Sequence, residues 1–575
     1  MTDTDFIITA DAIITMDDRQ PRAEAVAVTD GRIVAVGTLA ECRLALPAAA
    51  TRELGGSVLM PGFVEPHSHP LLSGISTEAP AYYIAPWLVP SWQGILDVAE
   101  RARREVPEGN GIVLFGLDQL LHGCPFPTAR EMDQIFGDRV AAIIALSQHK
   151  AAVTTATLRE LGWADAPPHD PVGGTFGRLP DGGLDGTADE VPAVLALVKP
   201  ALATLGGQPL GQAASYLAGM SRVGITTVGD MAYDDSMQAP YEALCSLPEL
   251  PMRVSVYHST SDPGCVNQLR TSVSPDLLKK GGLKFWADGS AWLGTIATSF
   301  PYLDTEAVRR AGITDLHPGP KAFNYDRAEL DAMLDRHAGE GWQMACHANG
   351  DLTVDLVLDA YEAALTKHDL LGTDHRWRLE HVGAARSDQL ARMSRLGVVP
   401  TFGVFQLMQW GDLLDGELYE SRYGARWSPT GDAAGTDLDA VHQSYHNDGN
   451  ISPSNPLASV QAAVTRRSNL VSEDGRYRFA AGNLHGPEQQ VSLHLALKAI
   501  TINAAYILRR DHEVGSIAVG KCADFVELSA DPYAVSPATV CEDVGIRRTW
   551  LAGRPTDPDA FVAAARRLSA ADTRD

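Results

Sequence analysis

The feature that most constrains this chain is an alternation. Across its middle, short apolar runs that end in a polar residue recur, and helical patterns follow several of them. Eight such runs are strand candidates: Val58–Glu65, Gly224–Asp230, Met252–Tyr257, Leu283–Asp288, Trp342–His347, Arg376–His381, Val398–Gly403 and Val441–Asp448. Strands separated by helices pair in parallel, because each connection must cross the sheet. Eight of them predict an α/β chain built on a (β/α)8 barrel. In the segment Asp355–Ala364, the spacing puts Leu356, Val357, Ala360 and Ala363 on one helical face. A barrel takes about 250 residues, and the stretch from Val58 to Ile507 is much longer. The surplus lies around residues 70–215 and holds strand candidates of its own, Gly111–Asp118 and Arg139–Ser147. It reads as an inserted α/β subdomain.

The two ends have a different character. Phe6-Ile7-Ile8 and Ile13-Ile14 are short strand cores, and Val26–Gly37 is a hairpin with Asp30-Gly31 at its tip. Ala523–Leu528 and Arg547–Gly553 look like strands as well. Because termini often lie close together, residues 1–57 and 513–575 are expected to form one composite β-sandwich. The barrel then occupies residues 58–512.

Composition narrows the function. The 45% of hydrophobic residues and 21% of charged ones suffice for a folded core. A net charge of −25 argues against nucleic acid and anionic membranes, which need a basic surface. No run approaches the roughly 20 apolar residues of a membrane span. The start, Met1-Thr2-Asp3-Thr4-Asp5, is acidic, unlike a secretory signal. Seven scattered cysteines without a Cys-x-x-Cys pair fit a reducing, cytoplasmic setting.

The sharpest chemical signal is Met60-Pro61-Gly62-Phe63-Val64-Glu65-Pro66-His67-Ser68-His69-Pro70. Side chains two apart in an extended segment point the same way, so His67 and His69 can share one metal ion. Taken alone, such a pair also fits a polar loop. Further ligand types follow near the ends of later strands: Lys284, His347, His381 and Asp448. Catalytic groups of barrels gather at the C-terminal ends of strands, so these can converge. Lys284 reads either as a salt-bridged lysine or as an amine that carbon dioxide converts to a metal-bridging carbamate. His446 and His485 read as loop histidines.

In their order, Pro-Gly-Phe-x-x-x-His-x-His, Lys-x-x-x-Asp-Gly-Ser, His-Ala-x-Gly-Asp, Arg-x-Glu-His and a late Asp resemble the amidohydrolase superfamily. The closest branch is amidohydrolase family three, which includes N-substituted formamide deformylases. Gln148-His149-Lys150-Ala151-Ala152, Asn503-Ala504-Ala505 and Gly515–Asp524 extend the resemblance over nearly the whole chain. It implies that His67 and His69 bind the more buried metal and that carboxylated Lys284 bridges two metals. His347 and His381 would bind the second, and Asp448 would be ligand and general base. The implied cofactor is a divalent metal, two zinc ions being the first expectation, with iron, manganese and cobalt suited to the same ligands. The chain departs from the pattern at Glu65, where Asp is common, at Asn349, where an apolar residue is usual, and at Asn447, where Ser is usual. Asp474, after Glu473, is a second candidate for the late Asp. Asp448 is preferred because Asn455-Pro456-Leu457 follows it in the family order.

The expected reaction is therefore hydrolysis of a linear N-formyl or N-acyl amine with an apolar substituent. The alternatives are a cyclic imide, lactam or heterocycle hydrolase, or a deaminase, on the same metals, and more distantly a non-catalytic scaffold. The partner is a small-molecule substrate, and a homodimer is compatible with the sequence. Aromatic residues around Tyr82–Trp92 and Phe402–Trp410 either line a substrate pocket or pack the insertion on the barrel. Trp87 and Phe402 are the pocket candidates, and His149 is a substrate contact by resemblance. Trp286 is expected on the strand face opposite Lys284, as packing.

Overall fold

A computed structural model describes residues 5–436, 442–468 and 482–572. Eight parallel strands form its central sheet: β1 Phe63–Ser68, β2 Ile225–Tyr233, β3 Arg253–Ser259, β4 Leu278–Trp286, β5 Gln343–Ala348, β6 Arg378–His381, β7 Val399–Phe402 and β8 Ser444–Tyr445. Each strand pairs with the next in chain order, from β1 to β8, as a barrel requires. The strands are buried on both faces, which is why they read as near-continuous apolar runs. Between β8 and β1 a side chain completes the ring. The backbone N–H of Asn447 donates to the Glu65 carboxylate at 3.0 and 3.2 Å.

The predicted strand Val58–Glu65 is two strands. Ala50–Pro61 belongs to a different sheet, and Gly62 carries the chain across to β1. A Cβ at Gly62 would lie 2.0 Å from Thr226 Oγ1, so only glycine makes this passage. The last predicted strand, Val441–Asp448, shrinks to two residues, and Val441 lies outside the described residues, as does Asp474.

Helix α1, Pro70–Thr77, begins directly after His69. Helix α2, Val191–Ala203, belongs to the insertion. After β5 comes α3, Asp351–Lys367, and after β7 comes α4, Val404–Leu414. The buried row of α3 includes Val354, Val357, Leu358, Ala360, Tyr361 and Leu365; Val357 and Ala360 of the expected face are in it, whereas Leu356 is half-buried and Ala363 exposed. The helix starts four residues earlier than predicted, pinned by the Asp351 carboxylate. That group accepts from Ser299 N and Oγ at 2.8 and 2.6 Å and from Arg386 at 3.0 Å.

Strands from both ends pair in one seven-stranded sheet, with Ala50–Pro61 between Phe6–Ile14 and Phe525–Leu528. One face holds Phe6, Ile8, Val26, Phe525 and Trp550. The other packs Ile7, Ala25 and Ala27 on Cys42 of a short helix, Leu39–Ala45. The insertion forms a six-stranded sheet that includes Ile112–Leu117, Ala141–Ala145 and Lys150–Val153. No described helix is long and apolar enough to cross a membrane. All seven cysteines are free thiols.

Candidate metal and active centre

β1 ends in His67 and Ser68, and His69 follows at the start of α1. His67 Nδ1 lies 2.5 Å from Glu380 Oε2, which leaves its Nε2 3.3 Å from Asp448 Oδ1. His69 Nε2 is 3.2 Å from the same oxygen. Two imidazoles and one carboxylate oxygen therefore meet at a point, on buried side chains. The other oxygen, Asp448 Oδ2, is 3.8 Å from His381 Nδ1. His347 stands beside His381, with ring centroids 4.4 Å apart. Its Nε2 is held by the carbonyl of Gly289 at 2.8 Å, which fixes the ring and leaves Nδ1.

Burial holds His69 below the ordinary histidine value, and His347 and His381 well below it. All three are thereby neutral imidazoles, the form that binds a cation. Against burial, His67 and His69 hold the Asp448 carboxyl well below the usual range through their contacts with it, so it is ionised. Glu380 is held low as well. Burial opposes this, but Arg378 and His67 outweigh it, with Arg378 Nε 2.5 Å from Glu380 Oε1. Lys284 is fully buried in β4, and its Nζ has no hydrogen-bond partner among the described residues. Burial lowers it to about 8. Asp448 and Glu380 are near enough to act on it electrostatically. A buried, unpartnered amine and the unpartnered His69 Nδ1 are costly unless something completes them. The donor set of imidazoles, a carboxylate and a lysine fits divalent cations.

Asp448 and His381 have φ of +58° and +69°. Such values are uncommon outside glycine and mark strain held by surrounding structure. The Glu65–Asn447 contact explains part of that hold. Besides the backbone bonds at the barrel seam, Asn447 Nδ2 donates to Glu65 Oε2 at 2.9 Å. Two departures from the family pattern thus form one pair, next to Asp448. Burial pushes Glu65 up to about 8 despite these donors. Asn349 donates from its backbone to Asp288 at 2.9 Å and from Nδ2 to Gly289 O at 3.0 Å, bracing the loop under His347.

Sequence reasoning missed one histidine of the site. His446, read as a loop residue, is fully buried, stacked on His67 at 4.7 Å and bonded through Nε2 to His381 Nδ1 at 3.0 Å. With His67 and His381 it forms a second cluster of ligand atoms. Its signal was the i, i+2 spacing to Asp448, the same spacing that singled out His67 and His69. His485 is a loop histidine as expected, held by Asp412 and Asp415 at 2.9 and 2.8 Å.

A cavity of about 770 Å³, counted with its open mouth, lies over His67, His69, His347, His381 and Asp448. Trp286 lines it, contrary to expectation: it is two residues from Lys284, and residues two apart share a strand face. Trp87 and Phe402 do not line it. Trp87 is buried with its ring 6.2 Å from Tyr83, and Phe402 is enclosed at the end of β7. His149 does line it, 4.7 Å from the His347 ring. Its Nδ1 lies 2.6 Å from Glu190 Oε2, so Nε2 is the nitrogen left for the cavity. Against burial, Glu190 holds this histidine above its ordinary value.

The chain is similar to known proteins over most of its length. A model described as the amidohydrolase family matches residues 50–557, and one described as the imidazolonepropionase-like composite domain of bacteria matches residues 25–49. An N-substituted formamide deformylase of Arthrobacter pascens is 26% identical over 96% of this chain and 97% of that protein. The protein LONG AFTER FAR-RED 3 of Arabidopsis thaliana is 26% identical over 96% of this chain and 92% of its own. An uncharacterized metal-dependent hydrolase from Pyrococcus horikoshii has the same fold. Its TM-score is 0.67 at 20% identity, over 93% of this chain and 99% of that one.

Proposed function

The chain belongs to the amidohydrolase family and is a hydrolase of carbon–nitrogen bonds, and from this we propose that it cleaves the amide of an N-formyl or N-acyl amine at a centre of divalent metal. The observation that carries the reading is the convergence of His67 Nε2 and His69 Nε2 on Asp448 Oδ1, at 3.3 and 3.2 Å. His67 and His69 would hold one ion, His347 and His381 a second, and Lys284, as its carbamate, would bridge them. Zinc is the first candidate. Divalent metal bound there supplies a Lewis acid that polarises the carbonyl and makes water easier to deprotonate. Glu380 keeps the proton of His67 on Nδ1 and so turns Nε2 toward Asp448. Asp448, ionised and in contact with three imidazoles, takes a proton from water on its carboxylate and returns it to the leaving nitrogen. The N-formyl choice draws on the Arthrobacter pascens relative, which is named for that substrate.

The test joins elemental analysis to turnover. Protein purified from zinc-supplemented culture is expected to carry two ions per chain and to hydrolyse N-alkylformamides. Dialysis against a chelator should abolish turnover, and added zinc should restore it. Undiminished hydrolysis by fully stripped protein would sink the proposal.

A further inference from the structure

Helix α2 carries an apolar row that borders the catalytic cavity, although Val194 and Val198 of that row also belong to the hydrophobic core. Val191, Val194, Leu195, Val198 and Leu202 line the same space as His67, His69 and Asp448. Spacings of three and four put them on one helical face. A row of this kind is ordinarily covered by a neighbouring element, yet Leu195 is 42% exposed. Leu72 of α1 and Ile144 of the insertion sheet add to the aliphatic lining. Among the described residues, no lysine or arginine lines it, and Asp448 is its one carboxylate. An ionised group placed along this row would lose its hydration without gaining a partner. From Val191 to Leu202 the row runs about 16 Å at the rise of an α-helix, longer than a single aromatic ring.

We propose that α2 is the specificity element of this enzyme and that it takes an uncharged alkyl arm of the substrate along this row. The inference rests on the amide-hydrolase reading for the chemistry at the other end of the arm. The helix also ties the arm to the centre. Glu190 immediately precedes α2 and holds His149 at 2.6 Å beside His347. A substrate lying on Val194 and Val198 therefore contacts the element that also sets His149.

The probes are straight-chain hydroxamic acids with butyl, octyl and dodecyl arms, which chelate divalent metal without being cleaved. Titration calorimetry on the zinc-loaded enzyme is expected to show Kd falling about fourfold for each added methylene between butyl and octyl, the worth of one buried CH2. An octyl probe ending in a carboxylate should bind at least tenfold more weakly than its uncharged parent. Val198→Asp and Leu195→Asp should each flatten the chain-length trend. Val198 is fully enclosed, so its variant tests folding as well, whereas Leu195 lies at the surface and its variant keeps the helix. A Kd independent of arm length in the wild type, or an unchanged trend in a folded Leu195→Asp, overturns the proposal. The kcat/KM of N-alkylformamides of the same lengths judges the chemistry separately. No cleavage together with a steep hydroxamate trend would reject the amide reading and keep the arm site.

Discussion

Asp448 combines a reactive position with a backbone conformation that few residues tolerate. At φ +58° a β-branched or bulky residue is strained, but Asn is among the side chains that visit this region. Asp448→Asn therefore keeps the backbone and the shape while removing the charge and the proton site. We expect the variant to retain its thermal midpoint within a few degrees and to lose about 10³-fold in kcat, the range of a removed general base. Steady-state turnover beside a melting curve decides it, and full activity would refute the proton-transfer role. At this scale the sequence was legible where spacing speaks directly. His67 and His69 two apart on a strand, and ligand types at later strand ends, marked the site. His446 was passed over although it stands two before Asp448, because a histidine in a polar stretch looks solvated until β8 is seen to end there. Trp286 was misplaced by parity, since Lys284 and Trp286 are two apart and not one. Trp87 and Phe402 show the limit of composition: an aromatic run says that area is buried, not which cavity it borders.

Elements were legible in kind and less so in extent. The alternation gave the parallel strands because their residues are apolar on both faces, whereas Val58–Glu65 hid a change of sheet at Gly62 whose cause is Thr226, far away in the chain. Helix α2 escaped notice because Val191–Ala203 is apolar except at Lys199 and carries Pro200, so its period does not show which side faces a cavity. The joint between the insertion and the barrel is a further feature that only the fold reveals. Asp118, just after the strand Ile112–Leu117, accepts from Leu121 N at 2.7 Å and from Trp410 Nε1 of α4 at 2.9 Å. Burial pushes its carboxyl up to about 6. A carboxyl raised in the folded state binds its proton more tightly folded than unfolded. Its charged form therefore penalises the fold above about 6, and the penalty fades as pH falls toward 3.8. Asp118→Asn removes that titration. Relative to the variant, the wild type is expected to gain about 1 kcal/mol between pH 7 and pH 5, and roughly 3 kcal/mol over the whole window. Melting curves of both proteins across this range measure the difference, and a constant gap between them would show that Asp118 does not titrate with folding.

The whole molecule is a barrel whose two ends of chain meet in one sheet, and the way that sheet is fastened decides how independently it can open. Strand-like ends were readable in the sequence. That the two ends join was the expectation; their register across more than 450 residues, Phe525 against Pro61 and Val526 against Met60, was not readable, because it depends on partners that a linear pattern does not name. The fastening is a buried pair. Arg253, at the N-terminal end of β3, reaches Asp524 through Nε at 2.6 Å and Nη2 at 3.0 Å, and Asp524 also accepts from Ala552 N at 2.8 Å. Both side chains are almost fully enclosed. The pair sits at the start of β3, the opposite end of the barrel strands from the metal ligands, which follow their C-terminal ends. Removing one partner leaves a buried charge uncompensated, which costs about 3–5 kcal/mol, whereas replacing both with apolar groups of similar volume is often close to neutral. Asp524→Leu alone is expected to lower the melting midpoint and to raise hydrogen exchange first in the strands Phe525–Leu528 and Ile546–Leu551. Activity per folded molecule should stay within severalfold of wild type, since the centre is untouched. Adding Arg253→Met should recover most of the lost stability. Equal losses in the single and double variants would mean that the charges do not act as a pair.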